Sequence, residues 1–190
     1  IDGGSSNQFE TDGSNDIFVV PDSNYVITEV NPSSIYNVTY SDDCSGNLTY
    51  GETATCTITN TEYATLTIVK NANPDSSQDF SFLTSGTGLS AFSLDDDTDG
   101  TLSNTKTFTN LLPGTYSVTE STVSGWDLTN AVCSDGSSNT SINLSAGENV
   151  TCTFTNTMRG AIGGHKYNDA DGNILTTGDR SVLGGWTVEL

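Results

Sequence analysis

The chain has 190 residues, with 24 acidic side chains against five basic ones and a net charge of −19. That balance excludes the basic face that nucleic acid or an anionic membrane requires, and the length fits one large or two small domains with small cores. One histidine, no nucleophile–base pairing and no glycine-rich phosphate loop leave nothing to turn over a substrate, so the chain is not read as an enzyme.

The recognisable patterns are alternating strands, which predicts an all-β chain with very little helix. After a Gly, Ser and Asp stretch, a strand is expected over 17–20, then a turn at Pro21-Asp22-Ser23-Asn24. A strand over 25–30 puts Tyr25, Ile27 and Glu29 on one face; strand 36–40 follows, and Thr55-Cys56-Thr57-Ile58-Thr59-Asn60 closes the segment. Residues 61–157 repeat this order with more at the front: Leu66, Ile68 and Lys70 on one face, Phe80-Ser81-Phe82, an acidic loop over 95–100, and a strand over 106–108. The turn Leu112-Pro113-Gly114, the strand bearing Tyr116, Val118 and Glu120, the Gly125-Trp126 pair and the closing strand Thr151-Cys152-Thr153-Phe154-Thr155-Asn156 complete it. Both closing strands place Asn on the face of their apolar residues, and the duplication implies two related domains.

Residues 158–190 open a third segment with a first strand near His165-Lys166-Tyr167. The chain thus divides into 1–60, the back of a sandwich; 61–157, a complete one; and 158–190, the front of another. The 33 residues of the last segment and the 60 of the first together match the 97 of the middle domain in size. Three origins remain open: a parent chain repeating this unit, a tail that completes the head of the next subunit by strand addition, or a fragment with ragged ends. No apolar run is long enough to span a bilayer, so no direct membrane insertion is expected.

Cys44 precedes Cys56 and Cys133 precedes Cys152, one pair leading into each closing strand. An even count at repeated places reads as disulfides in an oxidising compartment, each contributing roughly 3 kcal/mol on loop-closure entropy. Sequons at Asn37, Asn47, Asn139, Asn143 and Asn149 are compatible with an exported glycoprotein, though a Thr- and Ser-rich chain produces several by chance.

Strand parity turns Lys70, Glu120 and Asn156 toward the core of the middle domain. A buried Lys and Glu are costly unless they react or neutralise one another. Burial favours the neutral amine and the protonated acid, a nucleophile and an acid suited to polarising the Asn amide. The expected product is a Lys70–Asn156 isopeptide bond, with Glu120 as acid and ammonia lost. The equivalent set for the split domain is Lys166, Glu29 and Asn60, which would join subunits if its two ends come from different chains.

Leu66-Thr67-Ile68-Val69-Lys70, Tyr116-Ser117-Val118-Thr119-Glu120 and Phe154-Thr155-Asn156 resemble the first-strand Lys, the Y-x-V-x-E strand and the last-strand Asn of Cna-B and pilin-type prealbumin-like domains. Lys166-Tyr167-Asn168-Asp169 and Leu183-Gly184-Gly185-Trp186 resemble the start of the B domains of serine-aspartate-repeat adhesins. The resemblance implies tandem Ig-like, prealbumin-like (transthyretin-like) β-sandwiches of a bacterial surface stalk or pilus, often carrying such isopeptides. The disulfide before the last strand departs from the Gram-positive pilins.

Two acidic loops bear on calcium. Asp169, Asp171 and Asn173 stand at positions 1, 3 and 5 of an EF-hand-like loop with Asp179 at 11, but Ile174 replaces the Gly of position 6 and no Glu stands at 12. It resembles the calcium loops of the adhesin B domains. Asp95, Asp97 and Asp99 share the early spacing without a late carboxylate, and an exposed turn is expected there. The function expected is a structural repeat unit of an extracellular microbial filament whose partners are copies of itself; the alternative is an adhesin module binding a host or matrix ligand.

Overall fold

The computed structural model describes residues 13–170, 172, 175, 178 and 180–185. Contacts divide the chain into two units, Ile1–Met158 and Arg159–Leu190. In chain order the strands are β1 (Asn24–Val26), β2 (Tyr36–Tyr40), β3 (Ser45–Asn47), β4 (Ile58–Glu62), β5 (Ala64–Asn73), β6 (Ser76–Ser85), β7 (Phe92–Asp96), β8 (Thr105–Leu111), β9 (Gly114–Glu120), β10 (Trp126–Cys133), β11 (Ile142–Leu144), β12 (Asn149–Met158), β13 (Tyr167–Asp169) and β14 (Arg180–Val182). A short 3-10 turn at Asp42–Cys44 is the helical element among the described residues, so no helix there is long and apolar enough to cross a membrane.

Two four-stranded sheets form the sandwich, in the orders β10-β12-β5-β8 and β11-β9-β6-β7. Period-two alternation builds each one. Along β5 the residues Ala64, Leu66, Ile68, Lys70 and Ala72 turn inward, and along β12 Val150, Cys152, Phe154 and Asn156 do so. Phe82 on β6 meets Phe154 on β12 edge to face at 5.2 Å, and Phe80 meets Trp126 on β10 at 5.4 Å, so aromatic contacts tie the sheets together. Gly86, between β6 and β7, has φ +122, and a Cβ there would run into the Tyr116 ring. That ring is fixed in turn, because the Tyr116 hydroxyl donates to the Leu112 carbonyl at 2.7 Å.

The placement of the site depends on β5 and β12, the first and last strands of the sandwich. They run parallel and adjacent, with Ile68 opposite Cys152, Lys70 opposite Phe154 and Ala72 opposite Asn156.

The first segment forms two two-stranded sheets, β1-β3 and β2-β4, with Tyr25 and Cys44 buried. The strand expected over 17–20 is not formed: among the described residues no partner strand takes up its backbone groups, and Phe18 and Val20 are largely exposed. The strand expected over 25–30 stops at Val26, although the Ile27 amide still donates to the Cys44 carbonyl at 2.7 Å. β4 begins at Ile58 rather than at Thr55, since its ladder with β2 ends at the Tyr40–Ile58 pair, beyond which the Ser41 amide still donates to the Thr57 carbonyl at 3.0 Å. In the second unit β13 pairs antiparallel with β14, and it starts at Tyr167, after the glycines Gly163 and Gly164 and past Lys166.

Candidate functional site

Lys70 is 1 % exposed and Asn156 2 %, each held among apolar residues of its own strand. The parallel register sets them diagonally on neighbouring strands, since Lys70 faces Phe154 and Asn156 lies two residues beyond it. Glu120 reaches the same place from the other sheet. Its strand, β9, carries Tyr116 and Val118 into the core and ends with the half-buried Glu120.

Asn156 Nδ2 donates to Glu120 Oε1 at 2.5 Å, and Lys70 Nζ donates to the carbonyls of Asn71 at 2.9 Å and Phe154 at 3.3 Å. The Nζ atom stands 4.0 Å from the centre of the Phe80 ring. Burial lowers the pKa of Lys70, against the opposing pull of the Glu120 and Asp96 charges. Burial also raises the pKa of Glu120, against the Asn156 hydrogen bond and the Lys70 charge. Both shifts move toward neutral side chains, which is what desolvation does to an ion pair without full compensation. Glu120 Oε2 and Asn156 Oδ1 are buried with no hydrogen-bond partner, so the site holds unspent acceptor capacity.

Two participants escaped the sequence reading. Asp96 accepts the Ala72 amide proton at 2.8 Å and adds negative charge beside Lys70; its parity with Phe92 and Leu94 was the available signal. Phe80 was visible as a core residue, but its place under Nζ depends on how the two sheets face each other.

The second set is arranged differently. Asn60 is exposed on β4 opposite Val38, Glu29 is half-buried with its amide donating to the Tyr40 hydroxyl at 3.1 Å, and Lys166 is exposed in the second unit. Asn60 belongs to a two-stranded sheet, whereas Asn156 sits beneath a second layer.

Disulfides join Cys44 to Cys56 and Cys133 to Cys152, the latter pair directly opposite on β10 and β12. Among the sequon residues Asn47, Asn143 and Asn149 are exposed; Asn37 and Asn139 are half-buried, with the Asn139 amide donating to the Val118 carbonyl at 3.0 Å. Of the calcium-loop residues, Asp171, Asn173 and Asp179 and the side chain of Asp169 lie outside the described residues. The loop after β7 is the largely exposed turn expected there, with Thr98, Asp99 and Gly100 exposed; Asp95, the first residue of the acidic series, lies within β7 and is buried.

A two-sheet sandwich with adjacent first and last strands defines a prealbumin-like β domain. Residues 66–158 match the family described as the prealbumin-like fold domain. Among solved structures, the chain is similar to GBS52, the minor pilin of the Gram-positive pathogen Streptococcus agalactiae, at 14 % identity and a TM-score of 0.35, covering 72 % of this chain and 66 % of that one. The chain thus spans just under two thirds of that pilin's length. No curated protein sequence matches it.

Proposed function

We propose that this chain is a structural unit of an extracellular microbial filament, stalk or pilus-like fibre, and that Lys70 and Asn156 become covalently joined within it. The observation that carries the reading is the burial of Lys70 and Asn156 side by side, on the first and last strands, with Glu120 placed against the Asn amide.

The chemistry needs only these three side chains. A half-turn of the Asn156 amide exchanges Oδ1 and Nδ2 and sets the carbonyl oxygen against Glu120, where 2.5 Å suits an O–H···O bond from a protonated carboxyl. A neutral Lys70 donates its two N–H groups to Asn71 and Phe154 and keeps its lone pair for Asn156 Cγ. Attack forms the Nζ–Cγ bond. Glu120 passes a proton from Nζ to Nδ2, the Cγ–Nδ2 bond breaks, and ammonia leaves. Nothing is oxidised or reduced, and Glu120 recovers its proton.

A bond between adjacent first and last strands lets tension enter and leave the domain without passing through the segment between them. Outward residues of the same sheet favour a spacer over an adhesin: Thr65 and Thr67 on β5, Thr105 and Thr107 on β8, and Thr153 and Thr155 on β12 make the face mainly polar, with the apolar Val69 and Val132 flanking Thr153. The two disulfides fit an oxidising exterior.

Pulling the whole chain by its ends under reductant tests the reading. The 86-residue span from Lys70 to Asn156 should stay closed in the native chain. In Lys70→Ala it should open and add about 280–310 Å of contour length. Equal extension of the two proteins would overturn the proposal.

A further inference from the structure

We infer that the end of β7 and the loop following it form a calcium site, built by Asp95, Asp97 and Asp99. One carboxylate oxygen from each of the three lies within 4.8 Å of the others. Three like charges at that spacing repel one another, and the fold nevertheless draws them together.

Asp95 supplies the independent observation. It is 0 % exposed, its Oδ2 accepts only the Thr101 hydroxyl at 3.2 Å, and its Oδ1 is buried with no partner. A charged oxygen shut away from water and left without a donor is among the costliest arrangements in a protein interior. One carboxylate oxygen of Asp95 stands within 4.8 Å of those of Asp97 and Asp99, so a cation bound among them would supply the partner that Asp95 lacks. Asp97 and Asp99 lie closer to the surface, so an ion can enter from the solvent side and keep part of its water shell.

The donors are hard oxygens throughout, which selects calcium or magnesium over softer metals. Calcium tolerates an irregular set of oxygen ligands whereas magnesium demands a rigid octahedron, so a short loop offering carboxylates and a backbone carbonyl suits the larger, more tolerant ion. Asp95, Asp97 and Asp99 occupy positions 1, 3 and 5 of a calcium loop, Gly100 (φ +79) fills position 6, and the Thr101 carbonyl takes position 7. Lys106 stands where a bidentate Glu would close a high-affinity loop, so affinity falls in the range of extracellular modules, about 10⁻⁴–10⁻³ M. The site is independent of the Lys70–Asn156 bond and stands if that bond is disproved.

The test is calorimetric titration of the chelator-treated full chain with calcium chloride, repeated on Asp97→Asn/Asp99→Asn and on Asp171→Asn/Asp179→Asn. The first variant should lose the submillimolar-to-millimolar event, while the second retains it; an event that survives Asp97→Asn/Asp99→Asn, or none in the native chain, overturns the site. Amide NMR of the native chain covers the case in which a variant misfolds. Calcium should shift the Gly100 and Thr101 resonances saturably, and unmoved resonances there contradict the assignment.

Discussion

Asn156 donates to Glu120 at 2.5 Å across the interior of the sandwich, from β12 in one sheet to β9 in the other. This contact and the Lys70–Asn156 diagonal on β5 and β12 make one site out of three separate strands. Replacing Glu120 by Gln keeps the shape and the hydrogen bond but removes the acid. Glu120→Gln should therefore fold and remain unbonded, and sequencing of proteolytic fragments should recover Lys70 and Asn156 in separate peptides.

The unbonded variant should also be much less stable. Closing the 86-residue span contributes about 4–5 kcal/mol on loop-closure entropy. For a domain of this size that corresponds to a fall in Tm on the order of 20 °C for Glu120→Gln. Calorimetric melts of the two proteins would show it.

The pH dependence should differ in sign between them. In the bonded protein Lys70 no longer titrates, and Glu120 is held above its ordinary 4.5 by burial. As pH rises from 4.5, the unfolded chain releases a proton that the folded one keeps, so this group's stabilisation is lost up to its folded pKa. In unbonded Glu120→Gln, Lys70 is held below its ordinary 10.5 by burial. The unfolded chain then carries a proton that the folded one lacks, and stability rises with pH between the lowered value and 10.5. Urea midpoints across pH should thus slope more positively in Glu120→Gln than in the native protein; parallel slopes would contradict the assigned ionisations.

Removing the Cys133–Cys152 disulfide as the double Ala variant should cost about 3 kcal/mol, from its 19-residue separation. Isopeptide formation should persist, because the register between β5 and β12 does not depend on that link. Denaturant unfolding paired with fragment analysis checks both parts.

At Gly86, alanine must adopt φ +122 and displace the Tyr116 ring. The expected loss is about 1–3 kcal/mol, read as a lower urea midpoint, with the Lys70–Asn156 geometry left intact.

Much of this site is legible in the sequence because strand parity is a local property. The alternation of Leu66, Ile68 and Lys70, and of Cys152, Phe154 and Asn156, is enough to turn those side chains inward. Parity does not say which strands become neighbours, so the parallel pairing of β5 with β12 and the position of Phe80 under Lys70 are visible only in three dimensions. The first segment shows the opposite limit. Its apolar run over 17–20 looks like a strand, but a strand exists only where a partner accepts its hydrogen bonds, and Phe18 and Val20 lie exposed. Asp95 was hidden for a related reason: it lies off the Phe92–Leu94 face of β7, so parity gives no ground for its burial, and its Thr101 hydroxyl partner comes from the far side of the loop.

The central claim rests on a covalent bond, and the intact mass of the purified chain, measured after denaturation, reduction and removal of any glycans, tests it most directly. The account predicts a native chain lighter by one ammonia than its sequence requires, and a Glu120→Gln chain of full mass. A native chain at full mass would mean that Lys70, Glu120 and Asn156 are packed together without reacting, and the proposed bond would be wrong.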